Sequence, residues 1–171
     1  IRQALENPIE SSRLSTQVTA HSRVAIVIDD YTRPTPIKDI LPEVLRELKS
    51  GGVDEDRIDI VMALGTHQPI SNDALAEYIG REIFSKHRVG QHDCSSSSLV
   101  PVTKLPSGTE VKINPAVAQA DLAIGVGSIL PHPMNGFGGR AISLFPGVAD
   151  YRSIREHHLT STPEPGSCIG N

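Results

Sequence analysis

The sequence predicts an α/β fold, a Rossmann-like domain of three layers around a mostly parallel sheet, and three observations carry that reading. Short apolar runs rich in β-branched residues recur at "RVAIVID" (23–29), "RIDIVMAL" (57–64) and "ADLAIGVGSIL" (120–130), as expected of strands buried on both faces. Each run leads into a loop of glycine, proline and polar residues, and each loop leads into apolar residues at helical spacing. Strands that alternate with helices need crossover connections, which imply a parallel or mixed sheet.

The elements follow in order. After the first strand, "DYTRPTP" is a loop, and "IKDILPEVLRELKSGG" sets Ile37, Ile40, Leu41, Val44, Leu45 and Leu48 at helical spacing before two glycines stop the helix. The second strand opens into "GTHQP", and "SNDALAEYIG" reads as a helix that Ser71 or Asn72 can cap. Residues 87–114 mix short strands with turns, "PSG" marking a hairpin and the serine run a loop. Beyond the third strand lies "PHPMNGFGG", then a further helix, and "VADYRSIREHHL" (148–159) supplies the last one.

A chain of 171 residues suits one domain, residues 1–171. Its net charge of -4 leaves no basic field for nucleic acid. No apolar run approaches the roughly 20 residues that span a bilayer, and the start "IRQALENPIESSRLS" has no signal-peptide core. The two cysteines, Cys94 and Cys168, form neither a disulfide framework nor a CxxC site, which fits a reducing cytoplasm. The chain starts without methionine and closes on the polar "EPGSCIGN", so part of a longer protein is expected.

Ligands of open α/β sheets collect at the carboxyl ends of the strands, where loop amides and helix N-termini converge. Three loops fall there, bringing Asp30, Arg33, His67 and His132 toward one face. Each has a plainer reading: Asp30, Thr32 and Pro34 also build turns, Arg33 also suits solvent, and His67 and His132 also suit hydrogen-bonded loops. The glycines of "NGFGGR" permit close backbone approach, as a phosphate or flat cofactor requires, yet they are neither GxGxxG nor a Walker loop. His157 and His158 point about 100° apart on a helix, so only one of them can face a given site. The plainer reading of both is a favourable pairing with the helix C-terminus. His21 and His87 read as structural or surface residues, and His92 is open.

Taken together, "DDYTRPTP", "ALGTHQP", "GQHDC", "PHPMNGFGGRAISLFPG" and "SIREHHL" resemble, in order and spacing, the N-terminal domain of the nickel-dependent lactate racemase family along nearly the whole chain. The resemblance implies a racemase or epimerase of a 2-hydroxy acid, working by hydride transfer to a nickel-pincer nucleotide, a pyridinium-3,5-bisthiocarboxylic acid mononucleotide or a relative of it. It implies His67 and His132 as alternating acid and base, Arg33 and Asp30 at the substrate, and Thr32, Gly136, Gly138, Gly139 and Arg140 at the cofactor. His158 falls at the family's nickel ligand, with His157 at the preceding asparagine. Two histidines suit the chemistry, since each enantiomer presents its hydroxyl proton to a different base.

The chain departs from the family in two ways. The lysine that joins the cofactor covalently is replaced, Ile142 standing at that position, so any such nucleotide is expected to be held without that bond, with Arg140 a candidate partner for its phosphate. The family also closes its site with a C-terminal domain, so the chain is expected to be the N-terminal part of a two-domain protein and to turn over weakly or not at all alone. The alternative is a degenerate, non-catalytic module of the same fold that binds phosphate or carboxylate. A hydrolase with a histidine-bound metal would need more ligands at close spacing than the sequence offers.

Overall fold

A computed structural model of the chain describes residues 1–132, 136–139 and 141–160. Its centre is a four-stranded sheet in the order β3-β2-β1-β6, built from β1 (Val24–Asp29), β2 (Ile58–Ala63), β3 (Arg88–Gln91) and β6 (Leu122–Val126). Every pairing in it is parallel. The three predicted strands are β1, β2 and β6, and β1 lies between the other two. A hairpin of β4 (Val100–Lys104) and β5 (Glu110–Ile113) turns at "PSG" as expected and stands outside that sheet.

Helices cover both faces, which gives the three layers. On one face Val24, Ile26 and Ile28 pack with Leu41, Val44 and Leu48 of α2 (Ile37–Ser50) and with Leu75 and Ile79 of α3 (Asn72–Ile79). On the other, Ala25 and Val27 meet Val61, Val148 and Val117 of α5 (Pro115–Ala118). Both faces of β1 are therefore dry, and its residues from Val24 to Ile28 are at most 1% exposed. That explains why the run is continuously apolar where a half-exposed strand would alternate.

The helix α2 presents Ile37, Leu41, Val44 and Leu48 to the core and stops at the expected glycines. The cap of α3 is Ser71, whose hydroxyl accepts the Ala74 N–H at 3.2 Å. Three short helices were not legible in the sequence: α1 (Arg2–Glu6), α4 (Arg81–Lys86) and α5. The third strand is shorter than predicted. It ends at Val126, and a two-residue ribbon, β7 (Pro131–His132) with β8 (Gly136–Phe137), follows. The chain continues through α6 (Ala141–Leu144) to α7 (Tyr151–Thr160), which begins later than expected because Ala149 bridges Ile113 of β5 and Asp150 Oδ1 accepts the Ser153 N–H at 3.0 Å at the helix start. No helix among the described residues is long and apolar enough to cross a membrane.

His92, left open by the sequence, is a core residue at 3% exposure. Its Nε2–H donates to the Ala149 carbonyl at 2.8 Å, tying the end of β3 to the segment that precedes α7. Nδ1 is buried without a hydrogen-bond partner among the described residues, so protonating it would strand a charged donor. Burial accordingly pushes the His92 pKa down, against the opposing pull of the Ala149 carbonyl, Asp93 and Asp150. The unfolded chain then binds the proton more readily, and stability contributed by neutral His92 is lost as pH falls below the unfolded value of about 6.5. Urea unfolding at pH 7.5 and 5.5 is expected to show a smaller stability loss in His92→Gln than in the unaltered chain; equal losses would remove His92 from the account.

Candidate active site

The expected convergence is present. A cleft of about 170 Å³ at the carboxyl ends of the strands is lined by Asp29, Asp30, Arg33, His67, His132, Ile142, Ser143 and His158, with the Gly65–Thr66 and Pro146–Gly147 backbones. His67 follows β2, His132 follows β6, and Asp30 with Arg33 follows β1 between them. The two imidazoles thus enter from strands on opposite sides of the loop that carries the arginine.

The β1 loop is organised by Asp30, which is 5% exposed. Its Oδ1 accepts the Thr32 N–H at 2.8 Å and the Thr32 hydroxyl at 2.5 Å, an Asx turn of the kind that aspartate forms with its own backbone. Its Oδ2 lies 2.5 Å from His67 Nδ1. An ionised carboxylate can only accept, which places the proton on Nδ1 and leaves Nε2 with a lone pair. Asp30 therefore selects the His67 tautomer. The Tyr78 hydroxyl donates to the backbone carbonyls of Asp30 at 3.2 Å and Asp29 at 3.4 Å, and burial, reinforced by the two carboxylates, pushes its pKa up to about 12.

Arg33 is exposed, and among the described residues its guanidinium forms no ion pair with a carboxylate (Arg2, Arg13, Arg23, Arg46, Arg81 and Arg88 do). Burial, then Arg33 and His158, lower the His132 pKa.

The two adjacent histidines of α7 part company. His158 lines the polar cleft, whereas His157 lines an apolar hollow with Ile129, Phe137 and Phe145, its ring edge-on to Phe145 at 5.2 Å. Ile142 borders both spaces. Gly138 and Gly139 line a small hollow of about 30 Å³ beside the cleft. Gly139 has φ +95 and would set a Cβ 2.9 Å from the Ser128 carbonyl, so the fold itself requires that glycine. Gly136 lies in β8, and Arg140 lies outside the described residues.

Sequence reasoning missed Asp29, Ser128, Ser143 and Tyr78. The only signal was the doublet "DD" at the end of an apolar strand, where a second carboxylate beside Asp30 has no turn to build. A larger hollow of about 450 Å³ between α2 and α4 shares no residue with the cleft, and its lysines Lys38, Lys49 and Lys86 are paired with Glu77, Glu55 and Glu82.

Among the described residues, no three His, Cys, Asp or Glu side chains cluster as a metal held by protein alone requires. The cleft offers three imidazoles, His67, His132 and His158, of which His67 is already held by Asp30, and its wall at Ile142 is aliphatic. A metal at His158 would need its further ligands from a bound group, and the Ile142 side chain has no amine to join such a group covalently.

Comparison with known proteins places these features in context. Residues 1–170 match the family described as the lactate racemase N-terminal domain. The chain is 36% identical over 159 residues to a lactate racemase of Lactiplantibacillus plantarum, covering 92% of this chain and 37% of that protein. It is 30% identical over 161 residues to a lactate racemase of Thermoanaerobacterium thermosaccharolyticum, covering 94% of this chain and 38% of that protein. The solved lactate racemase apoprotein of the latter organism superposes with a TM-score of 0.82 at 30% identity, over 90% of this chain and 37% of that one. A Thermotoga maritima protein shares the fold, with a TM-score of 0.71 at 22% identity over 94% of this chain and 40% of that one.

Proposed function

Because the chain belongs to the lactate racemase family through its N-terminal domain, we propose that it forms the catalytic half of a 2-hydroxy acid racemase or epimerase. The observation that supports this most is the shared cleft, in which His67 and His132 arrive from either side of an arginine that no carboxylate neutralises among the described residues. Arg33 holds the substrate carboxylate through two N–H groups, a geometry that lysine cannot supply. His67, its proton fixed on Nδ1 by Asp30, takes the hydroxyl proton of one enantiomer at Nε2. His132, whose pKa is lowered first by burial and then by the charge of Arg33, serves the other enantiomer. When the planar ketoacid is reduced on the opposite face, the other histidine, protonated from solvent, gives its proton to the carbonyl oxygen, so each histidine is base for one enantiomer and acid in forming that same one.

His158 would hold nickel, and Gly138 and Gly139, with Arg140 and the Thr32 loop, would border the nucleotide. When bound, that nickel-pincer group accepts and returns the hydrogen on the substrate's stereogenic carbon. The chain spans 37% and 38% of its curated relatives, and the remainder of a longer protein would close the cleft over the substrate, in the cytoplasm.

Ile142 favours the second reading, a module that binds an anion without turnover. The two are separated by producing the full-length protein with nickel and the nucleotide and measuring metal content and interconversion of D- and L-lactate. Stoichiometric nickel that falls at least about tenfold in His158→Ala, together with racemisation, is the expected result. Nickel-free, inactive protein under those conditions would leave only the module.

A further inference from the structure

We propose that Asp29 is a positioning residue for His132, acting through the segment that leads out of β6; this rests on the reading of His132 as an acid/base. The Asp29 Oδ2 accepts the Thr35 hydroxyl at 2.7 Å and the Ser128 N–H at 3.0 Å, and Oδ1 accepts the Ser143 hydroxyl at 3.3 Å. One carboxylate thus joins the β1 loop, the exit of β6 and α6. Thr35, itself 5% exposed, also lies 2.8 Å from the Ser128 hydroxyl, so the two side chains and the carboxylate close a small network.

Ser128 begins the stretch that ends in His132, and its root is held on both sides. A Cβ on Gly127 would sit 2.7 Å from Asp29 Oδ1 and would displace the carboxylate. Further along, the Leu130 carbonyl accepts the Gly138 N–H at 2.6 Å. Among the described residues Asp29 has no cationic partner; all three donors are neutral. Its contribution is therefore one of hydrogen-bond geometry, and asparagine can reproduce it, with Oδ1 facing Ser128 and Thr35 and Nδ2 donating to the Ser143 hydroxyl.

The test is a pair of double-mutant cycles in the full-length protein, with racemisation and the ring signals of His132 and His67 in carbon–proton NMR as readouts. Asp29→Ala is expected to lower kcat about 100-fold with KM within about threefold, as displacement of a base by about 1 Å would do. Added to His132→Ala it should cost less than about twofold more, whereas added to His67→Ala it should act almost independently. The His132 signal should move in Asp29→Ala and return toward its original position in Asp29→Asn, which should also recover at least about a tenth of the activity. Where Asp29→Ala shows no folding transition, Thr35→Val enters the same cycles, and the same couplings decide. Full additivity with His132→Ala, or a His132 signal indifferent to Asp29→Ala, overturns the role of Asp29 while leaving the acid/base reading intact. Unchanged turnover in His132→Ala overturns both.

Discussion

Alanine in place of either His67 or His132 is expected to lower interconversion of D- and L-lactate by about 10²–10⁴-fold in the full-length protein, without loss of the fold. His67 is exposed at the rim of the cleft and among the described residues its ring bonds Asp30, so removing it leaves a satisfied Asx turn behind. His132 sits on the short β7 ribbon, outside both hydrophobic cores. Each loss should appear in kcat, since neither ring is assigned the substrate carboxylate, while Arg33→Lys should raise KM by removing the two-pronged contact. Chiral chromatography of timed reactions measures all three, with circular dichroism to confirm folding. A histidine variant within about threefold of the unaltered protein would exclude that residue from proton transfer.

The largest effect on stability is expected from Ile26→Ala, at about 2–5 kcal/mol. Ile26 is fully buried in β1, opposite Ile60 of β2 and Ile124 of β6, and packs into the cluster formed with α2 and α3. Truncation leaves a cavity that neither flanking strand can fill without breaking its own register. Against an ordinary domain stability of about 5–15 kcal/mol, that is a large share. Urea unfolding should resolve it easily, with Ile9→Ala, at a residue 91% exposed, changing stability by less than about 0.5 kcal/mol. Equal effects at the two positions would contradict the layered core described above.

The parallel sheet was legible because burial on two faces forces an unbroken apolar run, and "VAIVI" and "IVMAL" have no other use in a polar chain. The strand-end loops could be placed for the same reason: once the strands are located, Asp30, Arg33, His67 and His132 must emerge at one edge. The short helices escaped because α4 and α5 have too few residues to show a period, and α5 rests on a cap, Asn114, and a proline more than on a pattern. The third strand is shorter than expected because Ile129 and Leu130 are apolar yet partly exposed, Ile129 at 60%; Ile129 borders the apolar hollow of Phe137 and Phe145, and Leu130 the small hollow beside the cleft. Periodicity could assign neither His157 nor His158, since they are neighbours. Their surroundings separate them, one against Phe145 and the other in the cleft.

The strand order places the first-made strand in the middle. β1 is synthesised early, but its flank toward β6 waits until the chain has grown by most of its length, as the 98-residue separation of Arg23 and Asp121, joined at the edge of that pairing, records. During translation at about 5–20 residues per second, a nascent chain carries this bare, water-averse edge for several seconds before its neighbour leaves the ribosome. Such an interval suits capture by a chaperone, and the pocket cannot take shape before it ends, because His132 emerges only after β6.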